Sequence, residues 1–365
     1  MPTSVWIRMY AWTTIELSLG SGTGDLVLLA LCHANLPRGT PARIWWDGSM
    51  SFPPDATLAD AGEFGLIRAL VDLFPQGEQV LVGPGDDAAV LRVRTGHVVV
   101  STDLMVEGRH FRREWAAAAD VGHRAAAQNL SDVNAMGGRA TSLTIGLAAP
   151  ADLPAQWALD FARGFAAECD LVGASVVGGD VTRADEIVVA VTVLGACTES
   201  PVLRSGARPG DVLAICGRQG WAAGGLAVLG RGFRSPRVLV EAYRRPEPPY
   251  DAGRTAAEAG ATAMIDVSDG LLADAGHIAA DSGVAIDVHA AAFDVPEPLH
   301  AVGAAIGADP IQFILGGGDD HALLATFPDV ASVPDGWSVI GAAAAGEGVT
   351  VDGAAYDGPT GWTHF

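Results

Sequence analysis

Apolar residues recur at helical spacing in several stretches of the first half of the chain, and these stretches alternate with short β-branched runs. The pattern predicts helices over residues 63–74, 120–136 and 153–169. One face of the first helix carries large apolar side chains: Phe64, Ile67, Leu70, Val71 and Phe74. Strands are predicted over 98–103, 143–147 and 188–196, where β-branched residues dominate.

The same alternation continues after a turn-rich stretch that begins near residue 200. It predicts strands over 212–216, 264–265 and 285–288. It also predicts helices over 217–230, near Thr255 and over 269–281. No short-period repeat is present. Strands that alternate with helices favour an α/β (α+β) protein with two domains of similar size, over residues 51–200 and 201–365.

Residues 1–50 differ from the rest of the chain. They contain four of the nine Trp residues, and their three acidic and three basic side chains cancel. No periodic element continues from this segment into residues 51–365. We expect a poorly ordered extension, with the working protein beginning near Met50; a small interaction arm is the alternative.

The net charge and the absence of lysine exclude several classes of protein. The net charge is −21, and all 22 basic residues are Arg because the chain has no Lys. A field this negative argues against non-specific binding to nucleic acid or to an anionic membrane. The missing Lys excludes a P-loop and a protein-kinase site, since both need one.

The number of cysteines and the length of the apolar runs indicate where in the cell the protein is found. The four Cys residues form no CxxC pair, which indicates a reduced cytoplasmic protein without a cysteine zinc site. The apolar run from Leu26 to Cys32 is too short to span a bilayer, and no basic region precedes it as in a signal peptide. We therefore expect no membrane association and no export.

Asp residues recur beside Gly, just after apolar strand-like runs, at six places. The sites are Gly83-Pro-Gly-Asp-Asp87, Ser101-Thr-Asp103, Asn129-Leu-Ser-Asp132, Gly178-Gly-Asp180, Ile265-Asp-Val-Ser-Asp269 and Gly316-Gly-Gly-Asp-Asp320. Oxygen ligands of this kind suit several Mg²⁺ ions that bridge a polyphosphate. Each site alone is more often a turn or a helix cap, and only the repetition favours a common role.

Other catalytic signatures are missing. There is no HExxH, no GxSxG and no full dinucleotide fingerprint after Gly83. His110 is either a substrate contact or a structural histidine. The sequence thus favours carboxylate and metal chemistry over nucleophilic or hydride chemistry.

The motifs, taken in order, resemble a known family. Beyond the Asp sites, the matching segments are Glu63-Phe-Gly-Leu-Ile67, Gly85-Asp-Asp-Ala-Ala89, Leu104-Met-Val-Glu-Gly-Arg-His-Phe111, Met136-Gly137, Val181-Thr182, Arg204-Ser-Gly206 and Gly270-Leu271. Over residues 61–365 this order is similar to that of thiamine-monophosphate kinases, in the superfamily of aminoimidazole ribonucleotide and selenophosphate synthetases. The resemblance implies a two-domain fold, a homodimer formed through the N-terminal sheet, and phosphorylation of thiamine monophosphate by ATP.

The resemblance also implies roles for single residues. Mg²⁺ ligands would be Asp87, Ser101, Thr102, Asp103, Asp132, Asp180, Asp266 and Asp269. ATP would contact Gly179, Asp180, Arg204 and Ser268. Thiamine monophosphate would contact His110, Asp319 and Trp362. The carboxylates Asp87, Asp103, Asp132, Asp180, Asp266 and Asp269 would carry the catalysis.

Two positions depart from the family pattern. Asp319 stands where the family usually has Glu, and Ala322, after His321, replaces a usual acid. Neither change touches the expected metal ligands. We therefore expect them to alter substrate affinity rather than the chemistry.

Direct transfer without a phospho-enzyme is the mechanism that these residues predict, because a phosphate oxygen is already an ionised nucleophile near neutral pH. Three alternatives stay open at this stage. They are a sister synthetase of the superfamily, a non-catalytic nucleotide-binding homologue, and an acidic α/β protein with structural Asp turns.

Overall fold

A computed structural model describes residues 52–53, 55–84, 90–92, 96–197 and 200–362. The predicted extension over residues 1–50 and the predicted ligand Asp87 lie outside these residues. No helix within the described ranges is both long and apolar enough to cross a bilayer.

Ten α-helices form in the described residues. They are α1 Leu58–Ala61, α2 Glu63–Val71, α3 Ala118–Ala135, α4 Ala155–Val172, α5 Trp221–Gly230, α6 Arg237–Arg244, α7 Ala252–Glu258, α8 Leu271–Ser282, α9 Glu297–Ile306 and α10 Ile311–Leu315. Twelve strands accompany them in the same ranges. They are β1 Val80–Val82, β2 Val90–Leu91, β3 His97–Val106, β4 Arg139–Ala149, β5 Ser175–Arg183, β6 Val188–Cys197, β7 Val212–Cys216, β8 Ala263–Val267, β9 Ala285–Val288, β10 Ala322–Phe327, β11 Ser338–Ala344 and β12 Gly348–Val351.

Two mixed sheets organise the chain. The N-terminal sheet has the order β3-β6-β4-β5, and the C-terminal sheet has the order β12-β9-β11-β7-β10-β8. Neighbours in both sheets are antiparallel except for the pairs β4–β5 and β9–β12. The predicted mixture of strands and helices is confirmed. The division near residue 200 stays a prediction.

Helices α3 and α4 cover one face of the N-terminal sheet. Their backbones touch because a glycine on each helix faces the backbone of the other: a Cβ on Gly122 would lie 1.9 Å from the Phe161 carbonyl oxygen, and one on Gly164 would lie 1.9 Å from that of Ala119. The apolar side chains between helices and sheet form the first core cluster. Ala135, at the end of α3, joins a cluster of the C-terminal sheet, so α3 contacts both halves.

Most predicted elements occur, with corrected bounds. The second predicted helix ends as expected, with Gly137 in the left-handed region at φ +72°. The predicted apolar face of the first helix is only partly right: Phe74 is buried and Leu70 packs against the core, but Leu66 and Ala69 are buried where Ile67 and Val71 stay half-exposed. The helix turns this other side toward α4 and β5, and its packing rather than its own periodicity sets the buried face.

The placement of several Asp residues after strands is also corrected. Asp103 and Asp180 lie inside β3 and β5, because ladder pairing carries both strands past these polar residues. Asp132 lies on α3. Asp103 and Asp180 thus sit within paired strands, and Asp132 sits within the helix predicted over 120–136, rather than in loops after strands.

A buried polar contact ties the segment after α6 to α3 and α4. Glu168, 3% exposed, accepts a hydrogen bond from the Tyr250 hydroxyl and lies 2.8 Å from His123 Nδ1. His123 Nε2 lies 2.7 Å from the Pro246 carbonyl oxygen. With an acceptor at each ring nitrogen, the imidazolium form fits best. Burial lowers the pKa of His123, but Glu168 outweighs burial and raises that pKa above its ordinary value.

Replacing His123 with Gln is expected to destabilise the protein more at pH 6 than at pH 9. The raised pKa means that the charged contact stabilises the folded state fully below about pH 6.5, and this stabilisation is lost as pH rises through the folded-state pKa. Urea unfolding of both proteins at the two pH values measures the difference. An equal loss at both would show that a neutral ring makes the contact.

Candidate functional site

Three carboxylates from three elements face one another where the two sheets meet. Asp103 comes from β3, Asp132 from α3 and Asp266 from β8. Ser101 Oγ donates to Asp132 Oδ2 at 2.6 Å, and His321 Nδ1 lies 3.0 Å from Asp266 Oδ2. We call Asp103, Asp132 and Asp266 the acidic cluster.

Strand alternation and helix periodicity explain this convergence. Ser101 and Asp103 are two residues apart on β3 and share a face with buried Met105, which turns them toward α3. On α3, Arg124, Gln128 and Asp132 recur at a spacing of four, which places them in one stripe. Each member of this stripe has a different partner. Arg124 pairs with Asp319, Gln128 hydrogen-bonds Asp103, and Asp132 accepts from Ser101.

The cluster is electrostatically strained. Burial, and then the charges of Asp266 and Asp103, raise the pKa of Asp132 to about 7. Burial is also the largest influence that raises the pKa of Asp103. Like charges at close range favour uptake of a proton or a cation. Within the described ranges, however, no three His, Cys, Asp or Glu side chains form a ready-made ion site.

A second group of residues lies on the turn Gly316–His321. A Cβ on Gly318 would lie 2.0 Å from the Ser268 carbonyl oxygen, so only glycine permits this approach. Asp319 and His321 both adopt left-handed backbone, at φ +66° and +54°.

Three successive side chains of this turn are anchored on three elements. Asp319 Oδ2 lies 2.6 Å from Arg124 Nη2 of α3. Asp320 Oδ1 accepts from the Ala222 N–H at the start of α5, at 3.0 Å. His321 contacts Asp266 of β8. The turn is thereby fixed from three sides.

The turn after β8 lies against the same residues. Asp274 accepts from the N–H groups of Ser268, Asp269 and Gly270, each at 3.1 Å. The Asp319 N–H donates to the Ser268 carbonyl oxygen at 2.9 Å. Ser268, Asp269 and Asp319 are therefore neighbours.

Two predicted substrate residues also reach this region. The Trp362 N–H donates to the Asp269 carbonyl oxygen at 2.9 Å, and the Trp362 side chain is 63% exposed. His110 Nδ1 accepts from the Val106 N–H at 3.0 Å. Burial raises the pKa of Asp319, but the charges of Arg124, His321 and His110 outweigh burial and hold that pKa below its ordinary value. His110 is thus close enough to Asp319 to act on it.

Other predicted residues are not brought together within one chain. Thr102 points to the opposite face of β3 from Asp103, and its hydroxyl donates to the Val191 carbonyl oxygen at 2.8 Å. Gly179 and Asp180 lie on β5, which is separated from β3 by β6 and β4. Three strand spacings correspond to roughly 14 Å.

Arg204 is also distant from Asp269 along α8. The Arg204 carbonyl oxygen accepts from Ser282, the last residue of α8, whereas Asp269 stands before its first turn. A helix of this length spans roughly 18 Å. The predicted ATP contacts Arg204 and Ser268 are therefore at opposite ends of one helix.

Sequence reasoning missed Arg124, Gln128 and Asp274. A signal for the first two existed, because both lie in line with Asp132 at a spacing of four on a helix that is otherwise rich in Ala. Asp274 had no signal beyond its position in the first turn of a helix.

Comparison with known proteins places this site in a family. Residues 85–197 match the model of the AIR synthase related protein, N-terminal domain. A thiamine-monophosphate kinase of Mycobacterium tuberculosis is 46% identical over 312 residues, which cover 85% of this chain and 93% of that protein. The chain belongs to the thiamine-monophosphate kinase family.

Solved structures of the family agree with the fold. Thiamine-monophosphate kinase from Stenotrophomonas maltophilia is 34% identical, with a TM-score of 0.70 over 80% of this chain and 95% of that chain. A second structure, of AaThiL complexed with AMPPCP and TMP, is 32% identical, with a TM-score of 0.71 over 86% of this chain and 100% of that one. The family's fold therefore extends over both sheets of this chain, and the acidic cluster is built from β3 and α3 of one half and β8 of the other.

Proposed function

We propose that this protein transfers the γ-phosphoryl group of ATP to thiamine monophosphate, forming ADP and thiamine diphosphate. Relatives named thiamine-monophosphate kinase and a family structure with AMPPCP and TMP support this assignment. The observation that carries it is the acidic cluster, in which Asp103, Asp132 and Asp266 converge from three elements. The three cysteines in the described part of the chain form no disulfide, which supports a cytoplasmic site of action.

Mg²⁺ fits the residues present. The donors of the cluster are all oxygens, and the raised pKa of Asp132 shows that its neighbours oppose another negative charge without a cation. Asp103, Asp132, Asp266 and Ser101 would hold Mg²⁺ here, with Thr102, Asp180, Asp269 and Asp87 as further proposed ligands. Fewer than three side chains per ion suffice because phosphate oxygens and water complete Mg²⁺ coordination.

Bound Mg²⁺ would supply the positive charge that lets two polyanions approach and that stabilises the transferring phosphoryl group. The protein's own residues would do the positioning. Asp319, His110 and Trp362 would orient thiamine monophosphate, and Ser268, Arg204, Gly179 and Asp180 would contact ATP. The turn held by Asp274 fixes the backbone that carries Ser268 and Asp269.

No general base is required for this reaction. The acceptor oxygen of a monophosphate has a second pKa of about 6 and is ionised near neutral pH. Direct in-line transfer then needs only alignment and charge compensation. We therefore propose a mechanism without a phospho-enzyme.

ADP release by the purified protein with Mg-ATP, with and without thiamine monophosphate, tests this function. Turnover that needs both Mg²⁺ and the monophosphate, with thiamine diphosphate as product, supports it. Labelled ATP that leaves phosphate on the protein would overturn direct transfer. ATP binding without turnover would indicate a sister enzyme with another phosphoryl acceptor.

We further propose a homodimer through the open face of the N-terminal sheet. Val98, Val100 and Leu104 lie on that face with 52%, 64% and 58% of their surface exposed. Apolar side chains that share one face of a strand favour burial against a second copy. In such a dimer, Asp180 of the second copy would face the side of the first copy's β3 that carries Thr102.

Leu104→Arg is expected to convert the dimer to a monomer and to reduce turnover strongly. An arginine in the apolar face introduces a charge that a two-fold interface would have to bury or bring close to its own copy. Light scattering coupled to size exclusion measures the mass. Leu171→Arg, at an exposed Leu on α4, is the matched control. A wild-type monomer would contradict the proposal.

A further inference from the structure

An ion pair joins the stripe of α3 to the turn that carries Asp319. Arg124 Nη2 lies 2.6 Å from Asp319 Oδ2. The Arg124 side chain is 7% exposed, whereas that of Asp319 is 43% exposed. One partner is thus fixed in the interior, and the other presents its carboxylate to the site.

Arg124 has little freedom of its own. Its guanidinium stacks over the Tyr243 ring at 4.7 Å, and Nη1 lies 3.4 Å from the Tyr243 carbonyl oxygen. Tyr243 is buried and meets Trp115 edge to face. A buried and stacked guanidinium holds its partner in one geometry, unlike a surface pair that exchanges with water.

The backbone of Asp319 restricts the carboxylate from the other side. Its left-handed conformation is unfavourable for a residue with a Cβ, and the Gly318 contact with Ser268 leaves no room for the turn to move. The Asp319 N–H also donates to the Ser268 carbonyl oxygen. The position of the carboxylate therefore depends on the side-chain partner, which is Arg124.

We propose that Arg124 is a positioning residue that sets the affinity for thiamine monophosphate by fixing the Asp319 carboxylate. The assignment rests on the proposed function, in which Asp319 contacts that substrate. Asp319 is one methylene shorter than the Glu expected from the resemblance to the family. Arg124 binds Oδ2 of Asp319, so the other carboxylate oxygen stays available to the substrate. Because the pair fixes the carboxylate in one position, the shorter side chain would still contact the substrate.

The chain offers a matched control. Arg245 Nε lies 2.6 Å from Asp120 Oδ1, so a second ion pair of equal length joins the same helix to the segment after α6. Asp120 precedes Arg124 by one turn of α3, and its pair does not involve the turn Gly316–His321. Arg245→Gln thus removes a pair of the same length on the same helix, one whose arginine side chain is 50% exposed, without touching Asp319.

Isothermal titration and steady-state kinetics on four variants test the proposal. The variants are Arg124→Gln, Arg124→Lys, Asp319→Asn and the double variant Arg124→Gln/Asp319→Asn. Arg124→Gln is expected to raise the Kd and KM for thiamine monophosphate roughly tenfold to a hundredfold, as for the loss of a charge-assisted bond. The Kd for ATP should stay within about twofold, which is near the noise of such comparisons. Arg124→Lys should recover part of the affinity because it keeps the charge.

The double variant decides whether Arg124 acts through Asp319. If it does, the double variant binds thiamine monophosphate no more weakly than Asp319→Asn. Additive losses, an unchanged Kd in Arg124→Gln, or an equal rise in Arg245→Gln would overturn the assignment. Should Arg124→Gln not fold, Arg124→Lys and Asp319→Asn give the same comparison.

Wild-type turnover separates the two levels of the proposal. If the wild type forms thiamine diphosphate but the variants bind thiamine monophosphate with unchanged affinity, only the role assigned to Arg124 is wrong. Absence of turnover in the wild type removes the proposed function, and with it the role assigned to Asp319 and Arg124.

Discussion

Asp132→Asn is expected to lose phosphoryl transfer and, in metal-free buffer above pH 7, to be more stable than the wild type. The carboxylate is a proposed Mg²⁺ ligand, and its loss should lower kcat/KM by roughly a thousandfold, as for the loss of a preorganised charge. The same carboxylate is repelled by Asp103 and Asp266 in the folded state. The Asp132 carboxylate is therefore expected to be needed for activity and to lower the stability of the metal-free protein.

The pH dependence follows from the raised pKa. The pKa of Asp132 is about 7 in the folded protein and near 3.8 in an unfolded chain. Between these values the folded state binds more protons, so stability falls as pH rises through this window. The amide of Asn has no such dependence. The gain from the substitution should be absent near pH 4 and complete above pH 7.

Thermal unfolding at pH 5 and pH 8, with and without Mg²⁺, measures this effect. We expect a midpoint higher by about 5 °C at pH 8 without metal, on the scale of a few kcal/mol. Mg²⁺ should stabilise the wild type and remove the difference. Asp152→Asn, at an exposed turn residue, is the control. A variant that is less stable than the wild type at pH 8 would show that the three carboxylates do not repel one another.

Gly164→Ala is expected to destabilise the protein by about 3 kcal/mol or more, because overpacking of a close contact forces the backbone to shift. The added Cβ would lie 1.9 Å from the Ala119 carbonyl oxygen of the facing helix. Helix α3 carries Arg124, Gln128 and Asp132, so its displacement from the sheet would also misplace three site residues. Loss of activity should accompany the loss of stability.

Urea unfolding of Gly164→Ala against Gly65→Ala measures the effect. Gly65 also lies inside a helix, but a Cβ there would have no neighbour within 4 Å. Gly65→Ala should therefore be neutral or stabilising by up to about 1 kcal/mol, because Ala favours the helix. Similar losses in both variants would show that helix propensity, not the contact between α3 and α4, governs position 164.

Local pattern was enough for much of the fold. The strand over Ala285–Val288 and the end of α3 at Gly137 lie where periodicity and glycine placed them, since both depend on neighbours along the chain. The strand predicted over 98–103 was too short, and no strand was predicted around Asp180, because pairing with other strands carries a strand through polar residues. Part of the predicted buried side of the first helix, at Ile67 and Val71, was wrong for a similar reason: the partners of α2 are distant in sequence.

The sequence by itself determined the family and predicted the kind of chemistry. Acidic side chains in an ordered set of motifs, with no lysine, indicated a protein that handles phosphates through oxygen ligands and metal. Residue type and order carry this information because Mg²⁺ ligands are chosen by their donor atoms. The ordered motifs also pointed to the family.

Only the tertiary structure decided which of these residues meet. It joined Asp132 to Ser101 and Asp266 to His321 across large sequence separations, and it left Arg204 at the far end of α8 from Asp269. It also introduced Arg124, whose importance depends on Asp319 of the opposite half. Spacing along a helix or strand fixes which side chains share a face, but the direction of that face is set by packing between elements distant in sequence.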